Sequence, residues 1–370
     1  MITKIASNKN HEVIRFILSI SIAFVVFLWS LDLMTSTFQY IGQNTVLKVL
    51  SITSNPFVSL FIGLFITAVI QSSSTSTSLI VAIVASGSLS LENAIPMIMG
   101  ANMGTTLTST IVSLGYITDH KEFKNAIATG VMHDFFNVLT VIVLFPLEYY
   151  YHILSRLSKY TTSLFGKNSL GNFESGESSS SLFSQINDIL IQSTPYKFIL
   201  IIVACVCLFA SIKWISKIIS KKMIGTSQDR FKDVFFKNSF KSFGLGTILT
   251  AGIQSSSITT SIIVPLGATR KIPLDKIFPY IVGANIGTTI TALIAALNRS
   301  EAAISIAMAH FLFNLIGTGI FLLVPYLNKI PVYYAEKFGL MTARYRVVGF
   351  LYILGMFFLL PLALIFLNKL

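Results

Sequence analysis

Charge is what this chain has least of. Asp, Glu, Lys and Arg make up 11% of its 370 residues, against 53% hydrophobic residues and a mean hydropathy of +0.75. So few charges cannot cover the surface of a water-soluble domain of this length, which excludes a soluble globular protein. Cysteine is nearly missing. Cys205 and Cys207, both in one apolar segment, offer neither a disulfide framework nor metal-ligand spacing, and read as buried packing thiols. The apolar segments hold no Ser/His/Asp constellation at a plausible spacing and no carboxylate pair, so an intramembrane enzyme lacks its machinery. Acidic residues are the scarcer sign, 15 against 27 basic ones, for a net charge of +12. The basic residues fall between hydrophobic segments, so the bias of cytoplasmic loops explains the excess and nucleic acid does not.

What the chain does have is long apolar runs. Seven, at about 13–34, 93–114, 125–147, 196–219, 275–298, 302–325 and 347–368, are long enough to cross a bilayer. The first has a basic start and no small-residue cleavage site, so it reads as a transmembrane helix and not as a signal peptide. Two further runs, about 57–87 and 240–268, are broken near their centres by Gln71-Ser72-Ser73-Ser74 and Gln254-Ser255-Ser256-Ser257. Each break leaves arms of about a dozen residues, roughly half a bilayer, which predicts re-entrant helical hairpins with polar tips. Within 213–241, eight basic residues face two acidic ones, and the N-terminus and the 326–346 loop share the bias. These are expected to be cytoplasmic. Residues 148–195, with three basic and four acidic residues and the run Ser178-Ser179-Ser180-Ser181, are expected to form a flexible outside connector. Parity then places the C-terminus outside.

An internal repeat organises the runs. Gln254 follows Gln71 by 183 residues, and the same offset relates Gly63 to Gly246, Pro96 to Pro279, Asn102 to Asn285 and Thr106 to Thr289. Gly100-Ala101-Asn102-Met103-Gly104-Thr105-Thr106 answers Gly283-Ala284-Asn285-Ile286-Gly287-Thr288-Thr289, and at an offset of 177 His133-Asp134-Phe135-Phe136-Asn137 answers His310-Phe311-Leu312-Phe313-Asn314. With the first hairpin entering from outside and the second from inside, the halves have opposite orientation. The expected fold is therefore an all-α polytopic membrane protein of two inverted-topology repeats, each with a re-entrant hairpin and an interrupted transmembrane helix, the design of secondary transporters. The repeats would occupy 1–150 and 196–325, joined by the connector 151–195 and followed by the loop and final span 326–370.

Polar strings at this depth must find partners. The glycine pair in each Gly-Ala-Asn string is expected to ease local unwinding, exposing carbonyls suited to a hard cation such as Na⁺. Free amides at half-helix N-termini, with serine hydroxyls, suit an oxyanion. Ser and Thr can instead satisfy themselves on the preceding turn, but two copies of both strings in register weigh against that. Asp134 lies inside an apolar span and its repeat partner is Phe311; it is either an extra sodium ligand or a residue paired with His133 or nearby backbone. His133 and His310 read as packing residues more than as proton carriers. Asn137 and Asn314, one helical turn on, line a site or bond across the repeat interface. Glu92 and Asp275 read as carboxylates at helix N-termini, and Arg270-Lys271 as an interfacial anchor. Neither polar string contains Lys or Arg, so a bound anion would depend on dipoles, hydroxyls and co-bound cations.

With these strings, and with Pro146-Leu147-Glu148 after the His-Asp-Phe-Phe-Asn block, the chain resembles the type II sodium/phosphate cotransporter family from about residue 50 onward. The resemblance implies that inorganic phosphate is held between the two tips, by Gln71, Ser72, Ser73, Ser74, Gln254, Ser255, Ser256 and Ser257, with Asn102 and Asn285. It implies one sodium site from Gln254, Ser255, Thr288, Thr291 and the Ala284 carbonyl, and a second involving Asp134. Asp119 with Asn137 would be a further contact, and Thr105 and Thr108 are further candidate sodium ligands. Members with Asp at the position of Asp134 look electrogenic and those with Gly electroneutral, so net inward positive charge is expected. Unlike animal members, the chain stops one span after the second repeat and its connector has no cysteines, which suggests a compact bacterial member. The implied activity is sodium-coupled phosphate symport at the cell membrane, with Na⁺ as coupling ion and lipid as the surroundings; no nucleic acid or obligatory protein partner is expected. The alternatives are another oxyanion, such as arsenate, sulfate or a carboxylate, and a gated ion channel.

Overall fold

A computed structural model describes residues 2–41, 55–166, 183–204, 206–207, 210–211, 214, 236–270, 272–297 and 299–367. Among the described residues every regular element is helical. A long helix α1 (Ile2–Ile41) precedes a broken pair, α2 (Pro56–Ile70) and α3 (Ser73–Ala85). Then come α4 (Leu91–Gly104), α5 (Leu107–Leu114), α6 (His120–Tyr151), α7 (Ile153–Gly166) and α8 (Ser184–Ser193). A second broken pair, α9 (Ser239–Ile253) and α10 (Ser256–Ala268), is followed by α11 (Leu274–Ala296) and α12 (Glu301–Thr318), which ends in a π turn over Gly319–Leu323. Last are α13 (Lys329–Arg344), α14 (Val347–Leu354), a π turn Gly355–Leu359 and α15 (Leu360–Leu367). Among the described residues, four stretches can cross a membrane by length and composition: Glu122–Tyr151, Leu274–Ala296, Glu301–Leu323 and Val347–Leu367. The chain is thus an all-helical, multi-pass membrane protein. Of the other expected spans, the first lies within α1, 93–114 is divided between α4 and α5, and 196–219 falls partly outside the described residues.

Both hairpin breaks have the same local cause. Gln71 takes φ 55°, ψ 31° and Gln254 φ 55°, ψ 30°, left-handed values that end a helix. The next residue, Ser72 or Ser255, is extended, and its hydroxyl accepts the amide of Thr75 or Ile258 at 3.3 Å, capping the second arm. The first arms start on Asn55, followed by Pro56, and on Asn238, each a side-chain N-cap.

Glycine locks each first arm to the helix that follows. A Cβ on Gly100 would lie 1.8 Å from the Leu60 carbonyl oxygen, and one on Gly283 would lie 2.1 Å from that of Phe243. From the facing side, a Cβ on Gly63 or Gly246 would lie 2.0 Å from the Met97 or Tyr280 oxygen. The expectation that these Gly-Ala-Asn strings unwind holds only in the first: α4 ends at Gly104 and α5 starts at Leu107, whereas α11 runs unbroken over Leu274–Ala296. Gly283 and Gly287 serve contact with α9 and not helix interruption.

Two segments expected to be loops are helical. In the supposed connector, Glu148 is buried and accepts the Leu154 and Ser155 amides at 2.7 and 3.2 Å, a carboxylate on the first turn of α7. Helix α7 then packs on α12. The Ser178–Ser181 run lies outside the described residues. In the 326–346 loop, Pro331, Ala335, Phe338, Gly339 and Thr342 form a buried stripe at helical spacing, and α13 packs against α6.

One polar knot joins three segments far apart in the sequence. Asp32 of α1 accepts Arg299 Nη1 at 2.9 Å and Asn187 Nδ2 of α8 at 2.8 Å, and Trp29 Nε1 donates to Asn187 Oδ1 at 3.1 Å.

Candidate functional site

The structure brings the two Gln-Ser-Ser-Ser strings face to face, with reciprocal contacts. Ser74 Oγ donates to the Gln254 carbonyl at 2.8 Å, and Ser257 Oγ to the Gln71 carbonyl at 3.5 Å. Ser73 and Ser256 hydroxyls lie 3.4 Å apart, and Ser74 Oγ reaches Thr291 Oγ1 of α11 at 3.5 Å. Ser73, Ser74, Ser256 and Ser257 are all buried. The second arms begin at Ser73 and Ser256, so amides of their first turns have no acceptor within their own helices and carry the positive end of the helix dipole. Hydroxyls, carbonyls and dipole ends of both hairpins therefore converge on one buried spot.

A second polar centre lies between the halves. His133 Nε2 sits 2.5 Å from Asn285 Oδ1, which requires that nitrogen to hold the proton, and Asn285 Nδ2 donates to Asn137 Oδ1 at 2.6 Å. Asn137 Nδ2 donates to the Asn102 carbonyl at 2.8 Å. On the other side the contacts are longer: His310 Nε2 to Asn102 Oδ1 at 3.2 Å, and Asn314 Nδ2 to Asn102 Oδ1 and the Asn285 carbonyl at 3.4 Å each. All six side chains are buried. The hydrogen bonds of Asn102 and Asn285 thus run to this cluster and to the Ile98 carbonyl, not to the hairpin serines.

Asp134, fully buried on α6, pairs with neither His133 nor backbone. Its Oδ1 accepts Thr106 Oγ1 at 2.6 Å, and its Oδ2 accepts the Tyr352 hydroxyl at 2.8 Å. Thr106 lies in the break between α4 and α5. Of the remaining candidates, Thr288 Oγ1 donates to the Ala284 carbonyl at 3.0 Å and Thr105 Oγ1 to Ala101 at 2.9 Å, the self-satisfied pattern of Thr on a helix. Thr108 Oγ1, Thr67 Oγ1 and Thr250 Oγ1 are buried without a hydrogen-bond partner. Asp119 is not brought to Asn137. It is exposed and accepts the Glu122 amide at 3.1 Å where α6 starts, 18 residues or about 27 Å of helix away.

Among the described residues no three of His, Cys, Asp and Glu cluster. A cation here would have hydroxyl and carbonyl oxygens and the one carboxylate of Asp134, a hard-oxygen set that suits Na⁺ and not a transition metal. Tyr352 was not anticipated from the sequence. Its signal was available: it is the one side chain with a hydrogen-bonding group in 347–367.

A family model described as Na⁺/Pi-cotransporter matches residues 26–164 and 207–341. The rat sodium-dependent phosphate transport protein 2A is 31% identical over 91% of this chain and 65% of its own length. The human sodium-dependent phosphate transport protein 2B is 29% identical over 91% of this chain and 63% of its own. The chain thus spans less than two thirds of the length of these relatives. No solved structure matches.

Proposed function

Because the chain belongs to the Na⁺/Pi-cotransporter family, whose members are transporters and not enzymes, we propose that it carries inorganic phosphate into the cell together with Na⁺ by alternating access. The observation that carries this reading is the reciprocal contact of the two hairpin tips, Ser74 to Gln254 and Ser257 to Gln71. Two equivalent turns, each offering serine hydroxyls and free first-turn amides, make a symmetric cradle for a tetrahedral anion. With Ser73 and Ser256 hydroxyls 3.4 Å apart there is no room for the anion between them, so loading requires the tips to part. The cradle has no Lys or Arg, and co-bound Na⁺ supplies the missing positive charge. That makes sodium coupling a requirement of anion binding.

The equal turn geometry and equal glycine contacts at an offset of 183 favour two repeats, 1–150 and 196–325, and loop charge with span parity favours opposite orientation, the N-terminus cytoplasmic and the C-terminus outside. Gln254, Ser255, Thr291, Thr288 and the Ala284 carbonyl would hold one sodium, with Thr105 and Thr108 as their counterparts in the first half, and Asp134 another. Asp134 has no acidic counterpart in the second half, so each phosphate enters with net positive charge. Purified protein in liposomes should accumulate labelled phosphate on an inward Na⁺ gradient, resist competition by sulfate, and stop when K⁺ replaces Na⁺. Equal uptake in K⁺ would overturn the proposal.

A further inference from the structure

We infer that Tyr352 of the final span is a positioning residue for the Asp134 carboxylate, and that its hydroxyl competes with the cation for Oδ2. The inference rests on Asp134 as a sodium ligand.

The two atoms that approach the buried carboxylate are hydroxyls, Thr106 Oγ1 at 2.6 Å and Tyr352 Oη at 2.8 Å. Thr106 Oγ1 also lies 2.7 Å from the Met103 carbonyl, and one hydroxyl proton cannot serve both acceptors. The equivalent Thr289 bonds only its own helix, to the Ile286 carbonyl at 2.7 Å. An ionised carboxylate with one shared and one full neutral donor is undersatisfied, which favours a cation beside it. The fully committed donor is Tyr352, so Tyr352 is what an arriving cation must move or replace.

The tyrosine is placed for that task by weak backbone packing and firm ring packing. Only 11% of the Val347–Leu367 window is buried inside the protein, against 72% for Glu122–Tyr151. Along this otherwise apolar span Tyr352 turns inward, its ring 4.7 Å from that of Phe338 on α13 and 6.2 Å from that of Phe357. Three residues on, the helix loosens into the π turn Gly355–Leu359, a distortion frequent at functional sites. Tyr352 lies outside both expected repeats. Cation occupancy at Asp134 is thereby coupled to an element that neither repeat contains.

The test compares Tyr352→Phe, Asp134→Asn and the double variant in proteoliposomes and in detergent. Tyr352→Phe keeps the ring packing and removes the competing donor. Its sodium half-saturation for uptake should fall by roughly tenfold, the factor one charge-assisted hydrogen bond is worth. Its phosphate half-saturation at saturating Na⁺ should stay within about twofold. Without phosphate, the Na⁺ concentration that half-raises the thermal unfolding midpoint should fall by the same factor. On an Asp134→Asn background, Tyr352→Phe should add nothing. A sodium curve unchanged or moved to higher concentration by Tyr352→Phe, while Asp134→Asn does change it, overturns the role of Tyr352 alone. If Asp134→Asn leaves both sodium curves unchanged, the sodium site at Asp134 falls, and the inference with it.

Discussion

Replacing Asn285 by Ala should cost far more stability than the same change at its repeat counterpart Asn102. Asn285→Ala removes the 2.5 Å contact to His133 Nε2 and the 2.6 Å bond to Asn137 Oδ1, both fully buried. His133 Nδ1 already has no partner, so the ring would be left with neither nitrogen bonded. A buried polar atom stripped of its partner costs about 1–3 kcal/mol, so two of them give a loss of about 2–6 kcal/mol. Asn102→Ala removes longer contacts, 3.2 Å to His310 Nε2, whose Nδ1 is likewise without a partner, and 3.4 Å to Asn314 Nδ2, which keeps its 3.4 Å approach to the Asn285 carbonyl, together with the 2.9 Å bond to the Ile98 carbonyl of its own helix. That loss should be about 1–2 kcal/mol. Thermal unfolding midpoints of both variants in one detergent should rank Asn285→Ala lowest and Asn102→Ala between it and the parent. If Asn102→Ala is at least as destabilising, the bond lengths do not report the energetics. If Asn285→Ala keeps the parent midpoint and weakens phosphate affinity instead, the side chain is a phosphate ligand, as its sequence position suggested.

Three further outcomes follow from the same geometry. Gly283→Ala puts a methyl 2.1 Å from a backbone oxygen that cannot rotate away, and should cost about 3 kcal/mol or prevent folding; Gly244→Ala, in the facing arm but with nothing within 4 Å of its Cβ, should be neutral or stabilise by about 0.5–1 kcal/mol, so equal behaviour in unfolding would refute the interlock. Asp134→Gly should keep phosphate uptake and lose the accompanying current when both are recorded in one preparation; an unchanged current per phosphate removes that carboxylate from charge coupling. Arg299→Ala removes the guanidinium from an Asp32 ion pair that is largely shielded, at 15% and 9% side-chain exposure; the unfolding free energy should drop by about 3 kcal/mol, the low end for breaking a buried pair, whereas Lys159→Ala at the exposed pair with Glu92 should change it little.

The helix breaks at Gln71 and Gln254 are legible in the sequence because they have a local chemical cause. A polar tetrad inside an apolar run ends one helix and caps the next, and both effects are readable residue by residue. The role of the glycines was not readable in the same way. Gly283 permits unwinding and close approach equally well, and only the presence of Phe243 across the interface selects the second. Helix α13 is masked by its basic, loop-like charge, although Pro331, Ala335, Phe338 and Thr342 carry a helical stripe. Asp134 stood out as a carboxylate among apolar residues. Its partner Tyr352 follows 218 residues later, and pattern within one chain segment cannot pair residues so far apart.

Bond lengths also sort the interfaces by stiffness. Each first hairpin arm meets its partner helix backbone to backbone, α2 on α4 and α9 on α11, at glycines where no other side chain fits. At the centre, α6 and α11 are joined by bonds of 2.5 and 2.6 Å through Asn285. Between the tips, by contrast, one bond is 2.8 Å and the other two approaches are 3.4 and 3.5 Å, at the limit of useful hydrogen bonding. The contact between the tips is therefore the weakest of the three interfaces. In the proposed transport cycle, parting the tips exchanges three contacts, one full hydrogen bond and two long approaches, for those an anion and its sodium ions supply.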